Sequence, residues 1–248
     1  MHLWDPRQFR MPWLDDKPRL NRPFGLPEDA PVDAFVYVQV DTTPAYALLE
    51  AHQAANDEGL AGVVAYAPLE DGAIARTYLD ALVALGPRVK GVRRLIEPEP
   101  DPDFPLRLVE GLRLLPAYDL TFDICIKHHQ LPRTIEMVRA CPETQFVLDH
   151  LAKPAGLDPW RDHLSTLAAQ PNVVAKLSGL LTEVADVAPY VAHALEVFGP
   201  DRLMFGSDWP VLTQVASYRQ WLYTLTRLLP EAAPPAMWSH TARRVYRL

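Results

Sequence analysis

Seven short apolar runs, spaced at nearly constant intervals, organise this sequence. They begin near Ala34 (AFVYVQV), Ala61 (AGVVAYA), Val89 (VKGVRRL), Leu120 (LTFDICI), Gln145 (QFVLDHL), Val173 (VVAKLSG) and Arg202 (RLMFGSD). The offsets are 27, 28, 31, 25, 28 and 29 residues. Each interval holds one strand, one helix of about ten residues and two short loops. The segments between carry helical spacing, as in Leu131, Ile135 and Val138, or Val187, Val191, Leu195 and Phe198 ahead of Gly199-Pro200. Near-continuous apolar strands alternating with amphipathic helices predict a parallel sheet covered by helices. The pattern is one unit short of a (β/α)8 TIM-like barrel, an α/β fold that takes about 250 residues, and the chain has 248. We therefore expect a single distorted barrel domain over residues 1–248. Its first strand reads as truncated, because His2-Leu3-Trp4-Asp5-Pro6 resembles only the end of a strand and its loop. Either the natural chain begins several residues earlier, or a neighbouring segment fills the gap. No GxGxxG follows any strand, so a dinucleotide-binding fold has no support.

Composition narrows the function. A net charge of −7 offers no broad cationic field for nucleic acid or anionic lipid. No 18-residue apolar run suits a membrane-spanning helix, and the N-terminus has no signal-peptide pattern, so a cytoplasmic protein is expected. Two cysteines are too few for a disulfide framework; Cys125 reads as core and Cys141 as a helix end. The 25 prolines fall mostly between periodic segments, and the EPEPDPD stretch from Glu97 to Asp103 reads as a solvated loop.

In such a barrel the active site lies at the C-terminal ends of the strands. Those positions hold His2, Gln39, Asp41, Arg93, Arg94, Lys127, His128, His129, Asp149, His150, Lys176, Ser178, Ser207 and Asp208. Imidazole and carboxylate together make a metal site or an acid–base site. Barrel closure should bring His2, His150 and Asp208 to one mouth as the metal-ligating group. Asp208, in Gly206-Ser207-Asp208-Trp209-Pro210, would be the base on water, with a pKa raised by its apolar surroundings. Gly206 allows close backbone approach. Arg93, Arg94, Lys127, Lys153 and Lys176 suggest a carboxylated or polyhydroxylated substrate, unless they pair with Asp149, Glu97 or Glu183. No GxSxG elbow supports a serine triad.

A resemblance sharpens this. HLWDP at His2, PWL at Pro12, KGVR at Lys90, QLP at Gln130, FVLDHLAKP at Phe146, KLSGLLTE at Lys176, FGPDRLMFGSDWPV at Phe198 and the closing TARRVYRL resemble the amidohydrolase-related metal-dependent hydrolases. The similarity is to their sugar-lactonase branch, with L-fuconolactonase-like and L-rhamnonolactonase-like enzymes, related to 2-pyrone-4,6-dicarboxylate lactonase. It implies the distorted (β/α)8 barrel and hydrolysis of a small sugar-acid lactone. Asp208 and His150 would be catalytic, and Arg93, Lys176, Trp4, Trp209 and His128 would contact substrate. His2, His150 and Asp208 would hold a divalent ion, zinc first among candidates, although some members of the branch look able to work without a metal. His2 matches the second histidine of the family's opening His-x-His, and Arg94 stands where histidine is frequent. The strand-five histidine has His128 or His129 as its nearest counterparts. Two other readings remain open: a metal-dependent decarboxylase of an unsaturated dicarboxylate, and a barrel that binds a sugar acid without turnover. A homodimer is compatible with each.

Overall fold

The computed structural model describes residues 1–28, 30–229 and 236–248. Seven parallel strands form one curled sheet in sequence order. They are β1 Phe35–Val38, β2 Leu60–Ala65, β3 Val89–Val92, β4 Thr121–Ile124, β5 Phe146–Leu148, β6 Val173–Leu177 and β7 Leu203–Phe205. Each begins within one residue of the apolar run that announced it. Helices at Ala47–Asn56, Gly72–Val83, Leu131–Arg139, Trp160–Ala168, Ala188–Phe198 and Tyr218–Leu228 cover the outside. Between β3 and β4 the crossover breaks into short turns at Phe104–Arg107, Val109–Leu112 and Leu115–Tyr118. Prolines 98, 100, 102, 105 and 116 prevent a longer helix there. The result is an α/β, TIM-like barrel.

Strand alternation divides the core. One set of side chains packs outward under the helices, while Val38, Val64, Val147, Val174 and Met204 face inward with Val245 and Tyr246. The last two come from the C-terminal helix Thr241–Tyr246, which plugs the barrel from the N-terminal ends of the strands. There Lys90 Nζ donates to the Arg247 carbonyl at 2.9 Å.

β1 and β7 do not pair with each other among the described residues. The chain start lies between them. The Met1 amine donates to the Val36 carbonyl at 3.1 Å and the Val38 N–H to the Met1 carbonyl at 2.9 Å, which together make one parallel bridge onto β1. On the other side the His2 N–H donates to the Trp209 carbonyl at 2.6 Å. The described residues hold the seven strands read from the sequence and, where an eighth would stand, this one-residue bridge. Beside it lies a cavity of about 410 Å³, lined by Val36, Val38, Met204 and Tyr246 among others. After His2 the chain folds over the mouth: Trp4 and Phe24 exchange backbone bonds, and the Trp4 ring meets Trp13 and Phe24 edge-on at 5.3 and 5.4 Å.

Candidate active site

The cleft at the C-terminal ends of the strands encloses about 600 Å³. Asp208 lies on its floor between two histidines. His2 Nε2 is 3.7 Å and His150 Nε2 3.6 Å from Asp208 Oδ1, and all three residues are buried. Each ring is fixed by its other nitrogen: His2 Nδ1 lies 2.7 Å from the Val38 carbonyl, and His150 Nδ1 2.8 Å from Ser178 Oγ. The carbonyl can only accept, so His2 Nδ1 carries the proton and Nε2 presents its lone pair to the cleft. Burial lowers the pKa of both rings, His2 to about 4, so both are neutral at pH 7.

The Asp208 carboxyl departs from the sequence-based expectation. Burial alone would raise its pKa, but His150 and His2 outweigh that and hold it down at about 2. Asp208 is therefore an ionised carboxylate across the whole neutral range, and the expected raised pKa is corrected.

The local backbone is unusual. His150, Leu151, Ala152 and Lys153 all have positive φ (54°, 48°, 62° and 45°), as does Asp208 at 53°. None is glycine, so each stores strain that surrounding packing must hold. Two glycines make room. A Cβ on Gly179, itself at φ +65°, would lie 2.6 Å from His150 Nδ1, and one on Gly206 would lie 2.8 Å from Ser178 Cβ. The close approach expected at Gly206 is thus present.

Behind the floor is a buried ion network. Lys176 Nζ contacts Asp123 Oδ2 at 2.5 Å and Asp149 Oδ1 at 2.8 Å. Arg93 donates to Asp149 Oδ2 at 3.1 Å and to the Gln39 carbonyl at 2.5 Å, and the Tyr246 hydroxyl lies 2.9 Å from Asp123 Oδ2. Lys176 and Arg93 hold the Asp149 carboxyl far below the usual range against the effect of burial. Of the residues expected to contact substrate, Lys176 thus spends its charge on Asp123 and Asp149 and does not line the cleft. Arg93 does line it, and its buried Nε has no partner. Trp4 also lines the cleft. Trp209 packs on Phe24 and donates to the Gly25 carbonyl, and His128 stacks edge-on with His129; neither lines the cleft.

Sequence reasoning undervalued three residues. Cys125, read as core, is buried yet lines the cleft, and its sulfur lies in a cluster with Asp149 and His150 whose potential ligand atoms are all within 4.8 Å. Its position directly after β4 was the available signal. Glu97, read as part of a solvated loop though also offered as a partner for the cleft cations, is ion-paired with Lys153 and lies 3.7 Å from Lys127. Trp13 forms a second indole wall and donates to the Val40 carbonyl at 2.7 Å.

Two donor sets invite a divalent ion. In the Cys125 cluster, both oxygens of Asp149 already face Lys176 and Arg93, and burial pushes the thiol up to about 12. His2, His150 and Asp208 offer the better donor types, two neutral imidazoles with Nε2 toward one ionised oxygen, a set suited to zinc, although their potential ligand atoms do not all lie within 4.8 Å of one another.

The amidohydrolase family model matches residues 1–248, the full length of the sequence. The chain belongs to the amidohydrolase family. It is 34% identical over 194 residues to the L-fucono-1,5-lactonase of Burkholderia multivorans, covering 66% of this chain and 64% of that protein. With the L-fucono-1,5-lactonase of Burkholderia ambifaria it shares 37% identity over 144 residues, 53% of this chain and 49% of the other. The chain thus matches less than two thirds of the length of either curated lactonase. A zinc-bound crystal structure of a Burkholderia multivorans amidohydrolase superposes with a TM-score of 0.86 at 29% identity, covering 100% of this chain and 97% of that one. Among the described residues no helix is long and apolar enough to cross a membrane.

Proposed function

We propose that this amidohydrolase opens the ring of a small sugar-acid lactone with water. The observation that carries the reading is an ionised Asp208 held between two neutral imidazoles on the floor of an indole-walled cleft. The likeness to two lactonases supports the choice of substrate. Both histidines approach Oδ1 of Asp208, which leaves Oδ2 to accept a proton from water as the water oxygen adds to the lactone carbonyl. The ring C–O bond then breaks, and the departing alkoxide takes that proton back from Asp208. His2, His150 and Asp208 would hold a divalent ion, zinc being the best fit, which when bound polarises the carbonyl and lowers the pKa of water. Ser178 fixes the His150 ring, and Arg93, whose buried Nε has no partner, would supply the donor for the charge that develops on the carbonyl oxygen. Trp4 and Trp13 offer flat apolar faces to the C–H side of a sugar ring.

The test is a panel of aldonolactones assayed by acid release, comparing the wild type with Asp208→Asn. Loss of the base should lower kcat by roughly 10²–10⁴-fold. Equal, substantial rates in both proteins would remove Asp208 from the mechanism, and no hydrolysis of any lactone by the wild type would overturn the reading.

A further inference from the structure

The charges lining the cleft are unevenly satisfied. Arg93 faces Asp149, while Lys127 and Lys153 both face Glu97. Above them Arg94 reaches Glu70 at 2.9 Å and Glu99 at 2.6 Å. Arg93 and Lys153 are thus paired with carboxylates, Lys127 shares Glu97 with Lys153, and exposed Lys17 also lines the cleft. Asp41 is the opposite case: it lines the same cleft, is half-buried, and its carboxylate accepts no hydrogen bond or ion pair from any described residue.

Asp41 is also held with care. Its backbone sits at φ +55°, a conformation that Asp tolerates better than most residues. Buried Glu50, from the helix Ala47–Asn56, clamps both sides of it, accepting from the Val40 N–H at 2.8 Å and from the Thr42 hydroxyl at 2.8 Å. The Tyr37 hydroxyl holds the same Glu50 at 2.8 Å, and the Asp41 N–H is taken by the Gln39 side chain. Trp13 and Arg93 bond the carbonyls of Val40 and Gln39. Buried polar groups on every side thus fix a strained turn that presents one free carboxylate to the cleft.

We infer that Asp41 accepts a hydroxyl hydrogen bond from an uncharged polyhydroxylated lactone and turns away lactones that carry a carboxylate. This deepens the lactonase reading and rests on it. A fixed carboxylate in a half-buried site gains from a hydroxyl donor but repels an anion, and the two arginines whose charge reaches it, Arg93 and Arg94, already face Asp149, Glu70 and Glu99. The same charge favours release of the product, which gains a carboxylate when the ring opens.

The experiment compares wild type and Asp41→Asn on a neutral aldonolactone and on a lactone bearing a free carboxylate. Asn retains the tolerance for positive φ, so the turn is kept. The wild type should prefer the neutral substrate. In Asp41→Asn, KM for the neutral lactone should rise roughly tenfold or more while kcat changes less, and the preference over the carboxylated lactone should narrow by at least roughly tenfold. An unchanged preference ratio, or a wild type that favours the carboxylated lactone, overturns the assignment. If neither protein hydrolyses any lactone, the lactonase reading has failed, and calorimetric binding of a neutral sugar lactam against its carboxylated counterpart tests Asp41 separately. Selectivity lost in the variant then still supports it, and equal selectivity in both proteins refutes it.

Discussion

Lys176→Met probes the ion network behind the site. Lys176 touches both Asp123 and Asp149, at 2.5 and 2.8 Å, in a setting where its side chain is 11% exposed and theirs 0% and 2%. Methionine matches the length but not the charge, so two buried carboxylates would share Arg93 and the Tyr246 hydroxyl. Removing one partner of a buried pair costs about 3–5 kcal/mol. For a chain of this size each kcal/mol moves the Tm by about 2–4 °C, so a loss of roughly 6–20 °C is expected by calorimetry. Asp123→Asn on top of Lys176→Met removes one charge of each sign and leaves Asp149 to Arg93. That double variant should recover a good part of the loss, with a coupling of about 1 kcal/mol or more. A Tm within 2 °C of wild type for Lys176→Met, or a double variant no better than the single, would refute the reasoning. If Lys176 instead gripped substrate, KM would rise with the Tm unchanged, so the same variant separates a structural role from the substrate contact expected from sequence.

In chelator-treated protein, the acid limb of stability should begin early. Burial lowers the His2 pKa from 6.5 to about 4, so the unfolded chain takes up a proton that the folded chain refuses. Its contribution, of about 3 kcal/mol, is full above pH 6.5 and lost as the pH falls toward 4. Thermal melts across pH 4–8 check this, and a Tm flat down to pH 4 would contradict it. Gly179→Ala puts a Cβ 2.6 Å from His150 Nδ1 at φ +65°. It should cost about 1–3 kcal/mol by denaturant titration and, by turning the imidazole, weaken zinc binding roughly 10–100-fold in a competition assay.

The sequence by itself determined the strand positions, because apolar β-branched runs have few other uses in a chain and the intervals leave room for one helix each. It also pointed to part of the mouth, since strand ends follow directly from strand positions: His2, His150 and Asp208 converge there, and Asp41, Arg93 and Lys127 line the same cleft, while Lys176 and His128 do not. What only the tertiary structure decided is how each charge is spent. Lys176 and Lys153 look alike in sequence, yet one is consumed behind the floor by Asp123 and Asp149 and the other by Glu97 within the cleft. Asp208 and Asp41 both lie three residues beyond a strand, β7 and β1 respectively. The charge that His150 and His2 carry when protonated pulls the pKa of the first down against burial, while burial pushes that of the second up. Electrostatic energy depends on separation through space and on burial, and residues 53 or 56 positions apart along the chain meet at hydrogen-bond distance only once the sheet has curled.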